Sequence, residues 1–337
     1  MSKLVVVVGI TGNQGGSVAR RFLQDSTYRV RGITRSPASN AAKELSSLGV
    51  EVVAANLDDM ESVSKAFQGA NLIFTVTNYW EPFFRPDCRQ EAADQGISCP
   101  RYAYDAEYHH GKNMADAAAQ TVHTLDDNGF IVSTLSNAKT CSKGAFKELY
   151  HFDAKADIFP GYVQATHAAL AAKMSCIQTG YFMSSYKLAP GAYFGKDSDG
   201  YTMRFCTKPD TPVPHFDVNA DTGTFVYAVS QMPPGKSYMA EGTTCSWLAF
   251  MQTWSKVTGQ KARYQQVSLD EMIEGSPDKE FGKEIGFMFQ YSSEPGYDGG
   301  DASLLTAKDI RAAGIDCSMT TLEEYFRTAD WAMVVNQ

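Results

Sequence analysis

Two hydrophobic periods take turns along the first half of this chain. Lys3-Leu4-Val5-Val6-Val7-Val8 is a nearly unbroken apolar run, the pattern of a strand buried on both faces. Ser17-Val18-Ala19-Arg20-Arg21-Phe22-Leu23 then follows with helical spacing. The same reading predicts strands over 28–34, 50–55, 71–76, 129–134 and 174–179, with helices near 15–24, 39–48, 60–67 and 106–124. Strands alternating with helices need right-handed crossovers, which lay helices on both faces of a parallel sheet. The predicted fold class is α/β, a doubly wound parallel sheet over residues 1–179. From 180 to 337 the composition shifts towards Gly, Pro, Tyr and Met. Segments 180–215 and 282–302 lack strong periodicity, while 220–232, 244–258 and 268–274 read as helical. This second part is expected to form a smaller, substrate-side lobe, and its boundary with the first need not be continuous in sequence.

Between the first strand and its helix stands Gly9-Ile10-Thr11-Gly12-Asn13-Gln14-Gly15-Gly16. In that context the first glycine permits a tight turn, the second lets backbone approach a pyrophosphate, and the third lets helix and strand pack closely. The helix N-terminus adds free N–H groups and the positive end of its dipole. Gly9, Thr11, Gly12, Asn13, Gln14 and Gly15 are therefore candidate cofactor-binding residues. A plain strand-to-helix turn is the alternative.

The second strand reads Val30-Arg31-Gly32-Ile33-Thr34-Arg35-Ser36 and carries no acid where NAD-binding folds place one for the ribose 2′-hydroxyl. Arg35 stands where a guanidinium can pair with a 2′-phosphate, so the expected cofactor is NADP(H). A solvated loop cation is the duller reading of Arg35. After the third strand, Leu57 is placed to pack on the adenine, and Asp58 or Asp59 to cap the next helix.

Residues 79–105 exceed the usual strand-to-helix connection and carry Trp80, Phe83, Phe84, Tyr102 and Tyr104. They read as a loop, either a lid over the cofactor or a tethered surface segment. The net charge of −8 and the absence of a Lys/Arg cluster argue against direct nucleic-acid binding. No apolar run is long enough to span a bilayer, and the first strand begins too early for a signal peptide. Seven scattered cysteines without a C-x-x-C pair suggest free thiols in a reducing compartment, with no structural zinc. His109-His110 and the other histidines lack metal-ligand spacing, so no metal is expected, and Asp221-Thr222-Gly223 is half of an aspartic-protease motif without its second copy. The cytoplasm is the expected location.

The glycine segment resembles the opening of the NmrA-like family, atypical members of the short-chain dehydrogenase/reductase superfamily. Val76-Thr77-Asn78-Tyr79-Trp80-Glu81, Gly111-Lys112-Asn113-Met114, His151-Phe152-Asp153-Ala154-Lys155 and Gly180-Tyr181-Phe182-Met183 extend the resemblance. The tail segments Glu294–Gly300 and Leu322–Arg327 are similar to fungal members. The resemblance implies a Rossmann-type domain with a smaller C-terminal lobe, NADP(H) binding, and Thr77 and Asn78 among the cofactor contacts. It leaves two functions open. One is an NADPH-dependent reductase of a carbonyl, imine or activated double bond in a small molecule. The other is a non-catalytic NADP(H)-sensing regulator that works through a protein partner such as a transcription factor, for which a nuclear location also fits. A monomer or a homodimer suits either.

Short-chain dehydrogenases use a Tyr-x-x-x-Lys pair, and here the spacing is His151-x-x-x-Lys155. Residues four apart lie on one helix face, about 40° apart, whereas Tyr150 lies about 140° round from Lys155. Lys155 is thus both a candidate catalytic residue and a candidate ribose ligand. His151 is a candidate proton relay, with a helix-capping, backbone-bonded histidine as its alternative. Ser133 and Ser136, near the end of the fifth strand, and the aromatic residues Trp80, Tyr181 and Phe182, beside Tyr79, are candidate substrate contacts.

Overall fold

The computed structural model describes residues 2–336. Strands β1 (Lys3–Val8), β2 (Tyr28–Thr34), β3 (Glu51–Ala54), β4 (Leu72–Thr75), β5 (Phe130–Thr134) and β6 (Met174–Thr179) lie where the apolar runs place them. All pair in parallel in one seven-stranded sheet. The spatial order is Ser237–Ala240, β6, β5, β4, β1, β2, β3. Strand order reverses between β1 and β4, the switch point beside which such sheets bind ligands.

Alternation along β1 shows why the sheet is doubly wound. Val5 and Val7 join a core with Val18 and Phe22 of α1 (Asn13–Phe22) and with Phe225 and Val229. Leu4, Val6 and Val8 face the opposite core, built with Val63 and Phe67 of α3 (Met60–Phe67) and with Met114 and Ala118. Between them α2 (Asn40–Ser47) begins at Ser39, whose hydroxyl accepts from the Ala42 amide. The chain returns to this sheet after residue 180. Helix Thr222–Val229 docks on α1, with the Gly223 amide donating to Ser17 Oγ at 2.9 Å, and Ser237–Ala240 then adds the seventh strand beside β6.

The expectation of a loop over 79–105 needs correction. The segment is helical: α4 (Trp80–Phe84), α5 (Pro86–Asp94) and the first turns of α6 (Cys99–Gln120). Pro86 and Pro100 sit in first turns, where their missing N–H costs nothing, and the Ser98 hydroxyl accepts from the Arg101 amide. Of the aromatic residues there, Phe83 is buried in one cluster with Tyr79, Cys99 and Ala103, Trp80 and Tyr104 are half-buried against it, and Phe84 is exposed. Residues 180–215 hold strands Gly195–Asp197, Gly200–Phe205 and Val213–Phe216, and residues 282–291 belong to helix Lys279–Tyr291. Two three-stranded sheets and a core containing Trp247, Trp254, Phe205 and Phe289 make up this part. No helix among the described residues is long and apolar enough to cross a membrane.

Candidate functional site

The turn after β1 is closed by backbone rather than by side chains. Gly9 has φ +68°, and a Cβ on it would meet Val76 Cγ1 at 2.9 Å. A Cβ on Gly15 would stand 2.2 Å from the Gly9 carbonyl oxygen, so only glycine permits this contact of helix with strand. Gly12 is the N-cap of α1, no side chain caps that end, and the first turn holds no acid. The leading amides of Asn13, Gln14 and Gly15 thus head a ten-residue helix that offers an anion its N–H groups and dipole. Thr11 and Asn13 are exposed around it. Gln14 Oε1 is buried without a hydrogen-bond partner, an orphaned acceptor at the same turn. These features fit a bound dinucleotide.

On one side of the turn, Arg35 follows β2 and donates from Nη2 to Glu81 Oε1 at 3.0 Å. Leu57 packs at the edge of the α3–α6 core, and its carbonyl accepts from Asn113 Nδ2. On the other side, the chain leaving β4 passes through Thr77 and Asn78. Asn78 Oδ1 accepts the Glu81 amide at 3.3 Å, which fixes the first turn of α4.

Lys155 reaches this edge from helix Tyr150–Ala156. Its Nζ donates to Thr77 Oγ1 at 3.4 Å and forms an ion pair with Glu107 Oε1. Glu107 lies mid-way along α6 and is wholly buried, and its second oxygen has no hydrogen-bond partner. His151, one turn earlier on the same helix, is also buried. Its Nδ1 lies 2.6 Å from Glu284 Oε1, and its backbone amide donates to the same oxygen at 2.8 Å. Trp80 and Tyr79 close over the imidazole, with ring centroids 5.0 and 5.8 Å away. Burial, with the nearby Glu284 and Glu107 carboxylates, pushes the Tyr79 phenol well above its ordinary range, so this hydroxyl stays protonated. Tyr150 opens the helix and packs on Tyr104, off the face that carries Lys155.

The structure therefore joins Thr77 with Lys155, and Tyr79 and Trp80 with His151. Ser133 is buried in β5. Ser136 Oγ is occupied, 2.9 Å from Tyr291 Oη and 3.2 Å from the Tyr297 carbonyl. Tyr181 sits in the core built around Trp247, against that ring and hydrogen-bonded to Tyr193, while Phe182 packs at the edge of the β1–α1 core. Neither joins the Tyr79 cluster.

Two site residues escaped the sequence reading, Glu107 and Glu284. The signal for Glu107 was its place in the stripe Ala103, Glu107, Gly111, Met114, where a charge on the buried face of a helix demands a partner. Glu284 sits in a segment read as aperiodic and left no comparable signal.

The sequence model of the NmrA-like family matches residues 1–326. The chain belongs to the NmrA-like family. Among relatives, this NmrA-like chain is 28% identical over 362 residues to cpsB of Aspergillus campestris, an NmrA-like family domain-containing oxidoreductase, covering 96% of each chain. The crystal structure of NmrA, a negative transcriptional regulator, superposes with a TM-score of 0.73 at 19% identity, covering 98% of this chain and 96% of that one. The triphenylmethane reductase of Citrobacter sp., solved with NADP(H), gives 0.66 at 16% identity over 97% of this chain and 100% of the other. The fold of this chain is thus shared with both solved structures.

Proposed function

We propose that this protein is an NADP(H)-dependent oxidoreductase that reduces a carbonyl, imine or activated double bond of a small, aromatic or polyketide-like molecule. One observation carries the reading. The Lys155 ammonium stands at the C-terminal edge of β4, hydrogen-bonded to Thr77, next to a glycine turn fit for a pyrophosphate. The name of cpsB as an oxidoreductase and the NADP(H) complex of triphenylmethane reductase support it.

Gly9, Thr11, Gly12, Asn13, Gln14 and Gly15 would hold the pyrophosphate, Arg35 the 2′-phosphate, and Leu57 the adenine. Thr77, Asn78 and Lys155 would hold the nicotinamide ribose. The dinucleotide, when bound, supplies the hydride. Lys155 then does the electrostatic work: a fixed ammonium at the strand edge stabilises an oxyanion as it develops on the substrate. Glu107 keeps that side chain in place. Glu284 accepts from His151 Nδ1–H, which leaves Nε2 as the nitrogen able to pass a proton. Trp80 offers an aromatic face beside it.

The regulatory reading is favoured by a different observation. Phe84 ends α4 with 54% of its surface exposed, at the rim of the cluster of Trp80, Phe83 and Phe281, where a protein partner would cover it. The deciding measurement is single-turnover oxidation of NADPH by the full chain across a panel of aromatic aldehydes, ketones, enones and imines. Oxidation with any member supports the enzyme. NADPH binding without oxidation by the whole panel overturns it in favour of the regulator.

A further inference from the structure

The end of β2 has no carboxylate, yet one stands beside Arg35 in space. Glu81 comes from the first turn of α4, held there by Asn78, and its Oε1 takes Arg35 Nη2 at 3.0 Å and Arg85 Nη1 at 3.5 Å. β1 lies between β4 and β2 in the sheet, and all three strands point the same way. An ion pair between a residue just past β2 and one just past β4 therefore crosses the mouth of the glycine turn that follows β1. Arg35 is 57% exposed in its side chain, so the pair is weak and open to exchange.

We propose that Glu81 sets the choice between 2′-phosphorylated and 2′-hydroxyl dinucleotides, as the carboxylate that the second strand lacks. This rests on the reading of the crevice as a dinucleotide site. A 2′-phosphate competes with Glu81 for Arg35, and its two or more charged oxygens suit a guanidinium better than one carboxylate oxygen does. The displaced Glu81 keeps Arg85 as a partner. A 2′-hydroxyl offers no charge to compete for Arg35. It donates instead to Glu81, as the acid at the end of the second strand accepts in NAD-binding folds. One exposed pair thus holds both receptors, the arginine for NADP(H) and the glutamate for NAD(H).

The test is calorimetric titration of the full chain with 2′,5′-ADP, 5′-AMP, NADPH and NADH, comparing wild type with Glu81→Gln and Arg35→Gln. Glu81→Gln is expected to tighten 2′,5′-ADP and NADPH about fivefold and to weaken 5′-AMP and NADH by a similar factor. Arg35→Gln should weaken 2′,5′-ADP and NADPH about tenfold or more and leave NADH nearly unchanged. A Glu81→Gln protein whose NADPH-to-NADH affinity ratio stays within about twofold of wild type overturns the role of Glu81 alone. A wild-type protein that binds neither dinucleotide overturns the cofactor reading as well.

Discussion

Lys155 and Glu107 form an ion pair in which the acid is wholly buried and the lysine side chain 16% exposed. The pair joins α6 to the helix that carries the candidate catalytic face, across 48 positions of sequence. Removing one member of a buried pair strands the other charge, at a cost of about 3–5 kcal/mol, whereas replacing both with apolar groups of like volume is often neutral. Glu107→Leu should therefore lose about 3 kcal/mol in urea unfolding, and the double variant Glu107→Leu/Lys155→Met should regain most of it. A double variant as unstable as the single one would show that the pair contributes packing rather than charge balance.

Lys155→Met separates catalysis from binding. It removes the ammonium and keeps most of the apolar stem. Single-turnover NADPH oxidation should fall by about 10²-fold at saturating cofactor, a usual loss for an acid–base or oxyanion group. If Lys155 serves only the ribose, the rate constant returns to wild type once cofactor is saturating, and the loss shows in the binding isotherm instead.

Gly15 tests the turn. Its missing side chain admits the Gly9 carbonyl, so Gly15→Ala forces backbone apart between β1 and α1. The expected result is a loss of about 1–3 kcal/mol in stability, as for other overpacked sites, together with at least about tenfold weaker NADPH binding. Gly69→Ala is the comparison: Gly69 has φ +73° but open space around it, so the strain there stays local and cofactor affinity should hold.

Stability should respond to pH through three buried groups with opposite signs. Burial raises the Asp153 and Asp221 carboxyls to about 6 from an ordinary 3.8. Their contribution is present in full below the ordinary value and is lost as pH rises through about 6. Burial lowers His215 to about 4 from 6.5, so its contribution is present above 6.5 and is lost as pH falls through about 4. Thermal melts between pH 4 and 7 should show Asp221→Asn losing less stability than wild type as pH rises. His215→Phe should lose less than wild type as pH falls. Parallel curves for wild type and both variants would rule out these groups as the source of the pH dependence.

The sequence by itself determined what local pattern can encode. Six strands of the main sheet and the glycine turn were legible because a doubly buried strand must be apolar throughout, and because Gly9 and Gly15 meet a steric demand within one turn. His151 and Lys155 share a helix face for the same local reason. Tertiary structure decided the rest. The 79–105 segment looked like a loop because its aromatic stripe is short, interrupted by Pro82 and Pro86, and becomes a buried face only against α6 and Phe281. The seventh strand, Ser237–Ala240, is four residues long and gains its meaning only beside β6. Glu284 is 133 positions from the histidine that it holds, and Glu81 is 46 from the arginine that it neutralises. No periodicity registers such pairs: a buried charge announces that it needs a partner, but only the folded chain chooses which one.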